Sequence, residues 1–328
     1  MNKTKISWLV LGGCPRSGTT MLNFVLNSHP QICLTNEISL KKMMDRIHDL
    51  FYKEQQIKAV TQEIPERKKG KKEKWSIKKD ILPLVLQEDQ CKVSVLETLY
   101  TTHFLNYTNV DNIKYFGDKY PPYYQDFDDL RTTLNPLKVI HISRHPFDVI
   151  NSMLRRSLNS QKGLDFWNPS ESVDSACLKW VNAWNFINKY SFEYPQLFLH
   201  VKYEDFVFDF FNQMEIIANF LEIEDITKFN SDIVIQDNHY ERELLSSENE
   251  ELVYEYIPKE LIESWEMPVA ELAKKFPSLK TLEKSDQKYV AANNSDADAA
   301  NKVKYKIPRK IARWLISSRI RNYLKQIL

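Results

Sequence analysis

The stretch that most constrains the fold lies near the N-terminus, in residues 10–37, VLGGCPRSGTTMLNFVLNSHPQICLTNE. An apolar run that begins at Trp8 predicts a strand, which Gly12 and Gly13 are expected to end. A helix is predicted next, because apolar residues then recur at helical spacing. A strand, a tight loop and a helix start aim backbone N–H groups and a helix dipole at one point, which suits an anion. We therefore expect a phosphate-like group over residues 15–20.

The loop differs from that of nucleotide-hydrolysing proteins. Gly13 and Gly18 have the separation of a Walker A motif, but Thr19 stands where the lysine of that motif would be. Arg16, inside the loop, supplies a cation instead, and a guanidinium can bind an oxyanion through two hydrogen bonds. The alternative is an ordinary strand–helix turn with a surface arginine. The combination of turn, cation and two hydroxyls at a helix start favours the anion site.

A second segment predicts a second anion site. Residues 137–143, LKVIHIS, read as a buried parallel strand, and Arg144 follows at the end where open α/β sheets bind ligands. Ser152 and Arg156 come about two and three helical turns later if a helix starts near Pro146. We expect both to face back toward Arg144 and hold a second phosphate. Arginines on an exposed helix are more often solvated, so this cluster is weak evidence when taken alone.

The two segments together resemble the sulfotransferases that use 3'-phosphoadenosine 5'-phosphosulfate (PAPS). In that family a loop like PRSGTT, here Pro15 to Thr20, holds the 5'-phosphosulfate, and an Arg-x7-Ser pair, here Arg144 and Ser152, holds the 3'-phosphate. The tyrosylprotein sulfotransferase branch and its bacterial relatives are the most similar, from about Trp8 to about Leu221. The resemblance implies a P-loop-like three-layer α/β sandwich, with a central parallel sheet and helices on both faces.

The resemblance also implies roles for single residues. Glu37, 21 residues after Arg16, would be the general base. Lys119, in FGDKYPPY, and Arg16 would stabilise the leaving 5'-phosphate, and Tyr203, in LHVKYEDF, would lie near the adenine. No metal is expected. The residues expected to bind PAPS, the co-substrate, are Pro15, Arg16, Ser17, Gly18, Thr19, Thr20, Arg144, Ser152, Arg156 and Tyr203.

The residue types fit the chemistry. Sulfuryl transfer to a hydroxyl needs an aligned nucleophile, a base for its proton and positive charge at the leaving phosphate. Glu37 follows a short predicted strand and should emerge at the ligand-binding edge of the sheet. The alternatives are a solvated glutamate for Glu37 and a surface salt bridge with Asp118 for Lys119. His141 and His200 lie in predicted strands and are expected in the core.

The acceptor is left open among a tyrosyl peptide, which is favoured, a saccharide and a small molecule. In the tyrosylprotein branch, arginines soon after the base grip acidic peptides, but Ser39 and Met43 stand at those positions here. Two other functions compete with sulfuryl transfer. One is a phosphotransferase with an atypical phosphate loop, and the other is a non-catalytic nucleotide-binding adaptor at a membrane. No nucleic acid partner is expected, and a homodimer is left open.

The 328 residues predict one sulfotransferase domain over 1–285, with a lysine-rich insertion at 66–79. That insertion is a solvated loop or steers an acidic acceptor. Residues 286–301 have little apolar content and are typical of a linker. Residues 302–328 read as a basic amphipathic helix with nine Lys or Arg and no acid, which leaves 36 basic against 44 acidic residues elsewhere. Such a helix can lie on an anionic membrane or dock on the acidic body or a partner subunit.

The cysteines and the hydropathy indicate the compartment. The four cysteines show neither paired spacing nor a metal-ligand pattern. No stretch approaches the roughly twenty apolar residues of a transmembrane helix. We therefore expect a cytoplasmic enzyme, with peripheral membrane contact through the C-terminal helix left open.

Overall fold

The structure is a computed structural model that describes four main ranges of the chain. These are residues 7–45, 113–165, 168–235 and 245–280, with Val93, Leu96 and Glu97 in addition. The predicted insertion, linker and C-terminal helix at 66–79, 286–301 and 302–328 lie outside the described residues. The predicted domain boundaries therefore stay predictions.

The chain divides into two compact units. One comprises Met1–Arg46 and Leu96–Leu282, and the other comprises Ile47–Val95 and Glu283–Leu328. All the elements described below belong to the first unit. No helix in the described part of that unit is long and apolar enough to cross a membrane.

The centre of the first unit is a sheet of five strands in the order β2-β3-β1-β4-β5, with every neighbouring pair parallel. Because the strands are parallel, their carboxyl ends meet at one edge, where ligands bind in folds of this class. The strands are β1 Ser7–Gly13, β2 Ile32–Asn36, β3 Tyr115–Lys119, β4 Leu137–Ser143 and β5 Phe198–Lys202.

Helices follow most of the strands and surround the sheet, as the predicted α/β sandwich requires. Residues Tyr123–Gln125 and Ile226–Lys228 each form a single turn of 3-10 helix. The α-helices are α1 Thr19–Ser28, α2 Phe127–Thr133, α3 Pro146–Gln161, α4 Val173–Glu193, α5 Tyr203–Phe208, α6 Phe210–Leu221, α7 Asp232–Ile235, α8 Ser247–Tyr256, α9 Lys259–Glu263 and α10 Val269–Lys275.

Two hydrophobic cores hold these helices in place. The first packs α1 and α6 against the strands, with Leu22 and Ile217 fully buried among them. The second packs α3 against α4 and the C-terminal helices, around a tryptophan cluster of Trp180, Trp184 and Trp265. The predicted fold class is confirmed.

Gly12 and Gly13 do not end the first strand, contrary to the sequence prediction. β1 continues through Gly12 and Gly13, and Gly13 pairs with Ile142 of β4. A Cβ atom added at Gly12 would lie 1.9 Å from a ring carbon of Tyr123. Glycine is therefore needed here for close packing at the end of the strand, and the anion loop starts one residue after Gly13.

Candidate active site

The loop between β1 and α1 has the geometry of an anion cradle. Arg16 and Gly18 adopt left-handed conformations with φ of 75° and 89°, and α1 begins at Thr19 without a side-chain cap, so its first N–H groups point to the loop. Ser17 is completely buried, and its hydroxyl has no hydrogen-bond partner in the described part of the chain. Buried polar groups normally have partners, so these donors fit an anionic ligand.

Four arginines converge on this loop, and we call Arg16, Arg144, Arg155 and Arg156 the arginine cluster. Burial lowers the pKa of Arg16, and the charges of Arg156, Arg144 and Arg155 lower it further, in that order. The Arg16 Nε donates to the Ser152 hydroxyl at 3.0 Å. The charge of Asp165 acts in the opposite direction on Arg16. Four positive charges at one loop favour an anionic ligand there.

Arg144 connects the second predicted anion site to the loop. Its carbonyl accepts the indole N–H of Trp180 at 2.9 Å, and its guanidinium lies 4.4 Å from the centroid of the Tyr203 ring. The same ring packs on the loop, because a Cβ atom at Gly18 would lie 2.3 Å from it. Both predicted anion motifs therefore border one cavity. Its volume is about 320 Å³, and it is lined by Arg16, Gly18, Thr19, Thr20, Met21, Phe24, Arg144, Tyr203 and Ile233.

Two residues on α3 make contacts that the sequence did not predict. Ser152 accepts from Arg16, and Arg156 donates two hydrogen bonds to the Asp165 carboxylate, which raises the pKa of Arg156. The prediction that both side chains face Arg144 stays a prediction. Arg156 still belongs to the cluster, since it is the largest charge effect on the pKa of Arg16.

Lys119 connects the loop to Glu37. Its side chain is only 1% exposed, at the end of β3, and its ammonium group forms an ion pair with the Glu37 carboxylate and donates to the Thr20 hydroxyl at 3.3 Å. A surface salt bridge between Lys119 and Asp118 is therefore excluded. Glu37 is 54% exposed, and its backbone N–H donates to the Lys119 carbonyl at 2.7 Å. The lysine and the candidate base are thus held together at the carboxyl edge of the sheet.

Two buried carboxylates lie near the site, and sequence reasoning assigned neither of them a functional role. Asp118 accepts the hydroxyl of Thr35 at 2.6 Å, and Glu204 accepts the backbone N–H of His145 at 2.9 Å. Burial raises the pKa of both carboxyl groups. Each stands beside an assigned site residue, and Glu204 also belongs to the Tyr203-Glu204 pair of the family resemblance.

Of the two strand histidines expected in the core, His141 is buried there and His200 is only partly buried. His141 is fully buried in β4 and hydrogen-bonds the Tyr123 hydroxyl at 3.1 Å. His200, in β5, bonds the Ser143 hydroxyl at 2.8 Å. Burial lowers the pKa of both rings.

The surface after Glu37 lacks the arginines expected of a tyrosylprotein enzyme. Ser39, at one of those positions, is buried. Lys41 forms ion pairs with Asp45 at 2.6 Å and Asp129 at 3.3 Å. This surface therefore offers an acidic peptide little from these positions.

Residues 9–227, two thirds of the chain, match the model of the Sulfotransferase family. The chain belongs to this family. Its membership makes the protein a transferase that moves sulfuryl groups. The match covers the anion loop, Glu37, Lys119 and the arginine cluster.

Several solved sulfotransferases are similar to this chain in structure. The sulfotransferase domain from the curacin biosynthetic pathway is 17% identical, with a TM-score of 0.44, over 84% of this chain and 99% of that one. The domain from the Synechococcus PCC 7002 olefin synthase is 20% identical, with a TM-score of 0.42, over 74% and 80%. The sulfotransferase from Alicyclobacillus acidocaldarius is 14% identical, with a TM-score of 0.44, over 84% and 96%. The family assignment rests on the match over residues 9–227 and not on these likenesses.

No curated protein matches the chain. Membership of the tyrosylprotein branch, predicted from the motifs, is not part of these findings and stays a prediction.

Proposed function

We propose that this sulfotransferase moves the sulfuryl group from PAPS to a hydroxyl acceptor, with Glu37 as the general base. The observation that carries the proposal is the position of Lys119. Its ammonium group contacts both Thr20, at the start of α1, and the carboxylate of Glu37. A lysine that touches both groups can lie beside the bond that breaks while the base lies beside the bond that forms.

The residues present fit a donor with two anionic groups. The uncapped start of α1 and the unpartnered Ser17 hydroxyl suit the 5'-phosphosulfate. Arg144 and Arg156 suit the 3'-phosphate, and the bond from Arg16 to Ser152 supports a contact of Arg16 with both groups. The aromatic ring of Tyr203 in the wall of the same cavity supports a purine site there.

The acceptor oxygen attacks the sulfur of PAPS, and an S–O bond forms as the S–O bond to the 5'-phosphate breaks. Glu37 takes the proton of the acceptor hydroxyl. General base catalysis of this kind accelerates a reaction roughly 10²- to 10⁴-fold. Lys119 and Arg16 stabilise the charge that develops on the leaving adenosine 3',5'-bisphosphate. The products are the sulfate ester and that bisphosphate.

The donor is tested by thermal unfolding with added ligand. We expect adenosine 3',5'-bisphosphate to stabilise the protein without magnesium, by about 2.7 kcal/mol at a hundredfold excess over its dissociation constant. A preference for ATP with magnesium would contradict the proposal and favour the phosphotransferase. The same titration with EDTA present checks the expected independence from metal.

The reaction is tested with ³⁵S-labelled PAPS. The label should pass to a member of a panel of tyrosyl peptides, saccharides and small phenols, with protein tyrosine favoured and saccharide next. Glu37→Gln should lower turnover while binding of the bisphosphate persists. Binding without transfer to any acceptor, unchanged by Glu37→Gln, would instead support the non-catalytic adaptor.

The membrane contact and the cytoplasmic location also stay proposals. Three described cysteines, Cys14, Cys33 and Cys177, are buried free thiols, which accords with a reducing compartment. Liposome co-sedimentation with and without residues 302–328 tests the membrane contact. Equal pelleting of both proteins on anionic vesicles would remove it.

A further inference from the structure

The segment that carries Glu37 has an unusual backbone. Glu37 and Ser39 both adopt the left-handed conformation, with φ of 60° and 58°. This conformation costs free energy for residues other than glycine and persists only where surrounding contacts enforce it. The contacts that hold this turn therefore decide where the Glu37 carboxylate lies.

Most of those contacts come from one buried carboxylate, that of Asp118. Its Oδ1 accepts the Thr35 hydroxyl at 2.6 Å and the Ile38 N–H at 3.4 Å. Its Oδ2 accepts the Ser39 N–H at 2.8 Å. Asp118 is 1% exposed, so these bonds form in a low-dielectric setting where each is strong. Asp118 thus accepts hydrogen bonds from the chain on both sides of Glu37.

The neighbouring residue in β3 completes the arrangement. Side chains alternate along a strand, so Asp118 and Lys119 project from opposite faces of the sheet. The carbonyl of Lys119 accepts the backbone N–H of Glu37, and its ammonium group forms an ion pair with the Glu37 carboxylate. Asp118 fixes the turn from one face while Lys119 contacts the side chain of the base from the other.

We propose that Asp118 is a positioning residue, which holds the turn at residues 35–39 so that the Glu37 carboxylate stays beside Lys119 and the anion loop. The inference rests on the proposed role of Glu37 as the base. It assigns Asp118 no contact with PAPS or acceptor. The function of this buried carboxylate is to set the geometry of another residue.

The test is a double-mutant cycle between Asp118→Asn and Glu37→Gln. The readouts are kcat for hydrolysis of ³⁵S-labelled PAPS and for transfer to 2-naphthol, and calorimetric binding of adenosine 3',5'-bisphosphate. Asparagine keeps the shape of the side chain but replaces one acceptor oxygen with a donor. We expect Asp118→Asn alone to lower kcat by about tenfold to a hundredfold, as small misplacements of a reacting group do. Its affinity for the bisphosphate should change by less than about twofold.

In the Glu37→Gln background, Asp118→Asn should lower kcat by less than about twofold, because the residue acts through a base that is already lost. An equal loss in both backgrounds, or a wild-type kcat for Asp118→Asn, would overturn the inference. If Glu37→Gln itself keeps the wild-type kcat, it is the proposed function that fails. Asp128→Asn, at an exposed aspartate paired with Arg131 at 3.3 Å, is the matched control and should leave kcat unchanged.

A second variant covers the case in which Asp118→Asn does not fold. Thr35→Val removes one hydrogen bond to Asp118 and keeps the buried charge. It should lower kcat in the same direction by a smaller factor, again only when Glu37 is present. A folded Thr35→Val protein with wild-type kcat would then contradict the positioning role.

Discussion

Arg16 has a backbone conformation that few arginines adopt, since its φ of 75° lies in the left-handed region. The strain is offset by the contacts of the side chain, which bonds Ser152 on α3, 136 residues away. Burial and three neighbouring arginines lower the pKa of the guanidinium. Backbone strain and a lowered pKa in one arginine support the proposed role of Arg16 in donor binding.

Arg16→Lys therefore tests the anion site at the scale of one residue. A lysine keeps the charge but loses the planar fork and the bond to Ser152. We expect the affinity for adenosine 3',5'-bisphosphate to fall on the order of tenfold to a hundredfold, since a hydrogen bond to a charged group contributes about 1.5–3 kcal/mol. Isothermal calorimetry measures this.

The matched control is Arg131→Lys, at a partly exposed arginine of α2 that pairs with Asp128. It should bind the bisphosphate as the wild type does. Equal affinities for Arg16→Lys and wild type would exclude Arg16 from the donor site.

At the scale of elements, the unit β1–loop–α1 depends on the close approach of the Tyr203 ring to Gly18. Gly18 has φ of 89°, and a Cβ atom there would lie 2.3 Å from the ring. The ring belongs to the start of α5 and also carries the Arg144 guanidinium on its face. The loop, α5 and the end of β4 are therefore coupled through one aromatic ring.

Gly18→Ala should disrupt this coupling. The methyl group forces the ring to move and so displaces Arg144, in addition to the strain of a left-handed alanine. We expect a clear loss of bisphosphate binding together with a lower melting temperature, followed by calorimetry and thermal unfolding.

Gly163→Ala is the control that separates backbone strain from displacement of the Tyr203 ring. Gly163 also has a positive φ, of 72°, but no atom lies within 4 Å of the added Cβ position. It should lower the melting temperature and leave binding unchanged. If both alanine variants bind the bisphosphate equally well, the coupling through Tyr203 is wrong.

The elements differed in how well the sequence predicted them. The strand at Leu137–Ser143 was predicted at its exact bounds, because a run of β-branched residues marks a buried strand. β3, Tyr115–Lys119, was not predicted, because YFGDK contains a glycine and two charges and lacks that pattern. Its charged residues, Asp118 and Lys119, are buried with partners, Thr35 and Glu37, that lie elsewhere in the chain. A local sequence pattern does not show such partners.

At the scale of the whole molecule, the buried histidines link stability to pH. His141 is fully buried, and burial and His200 hold its pKa well below the usual value. Below pH of about 6.5 the unfolded chain takes up a proton that native His141 does not. Stability should therefore fall as pH decreases from about 6.5, by up to about 1.4 kcal/mol per pH unit for this ring. Glu204 and Asp118, whose pKa values are raised by burial, act in the opposite sense.

His141→Gln isolates this contribution. Urea unfolding between pH 5 and 8 should give the variant a shallower fall in unfolding free energy below pH 6.5 than the wild type. The glutamine can still accept from Tyr123, so the comparison concerns the slope rather than the absolute stability. Identical slopes would show that His141 does not control the acid limb.

The local parts of this protein can be predicted from its residues alone. The anion loop, the strands before Thr19 and Arg144, the α/β class and the family resemblance follow from residue types at short spacing. Such patterns are local because backbone conformation and hydrogen bonding act over a few residues. The sequence also named Glu37 and Lys119, although only through the resemblance.

Which of these parts contact one another depends on the three-dimensional fold. The contacts of Lys119 with Glu37, Arg16 with Ser152 and Asp118 with Ser39 span 82, 136 and 79 residues of the chain. No local pattern encodes such pairs, because they arise from the order of the strands in the sheet. β3 lies between β2 and β1, and this order alone places Lys119 between the base and the anion loop.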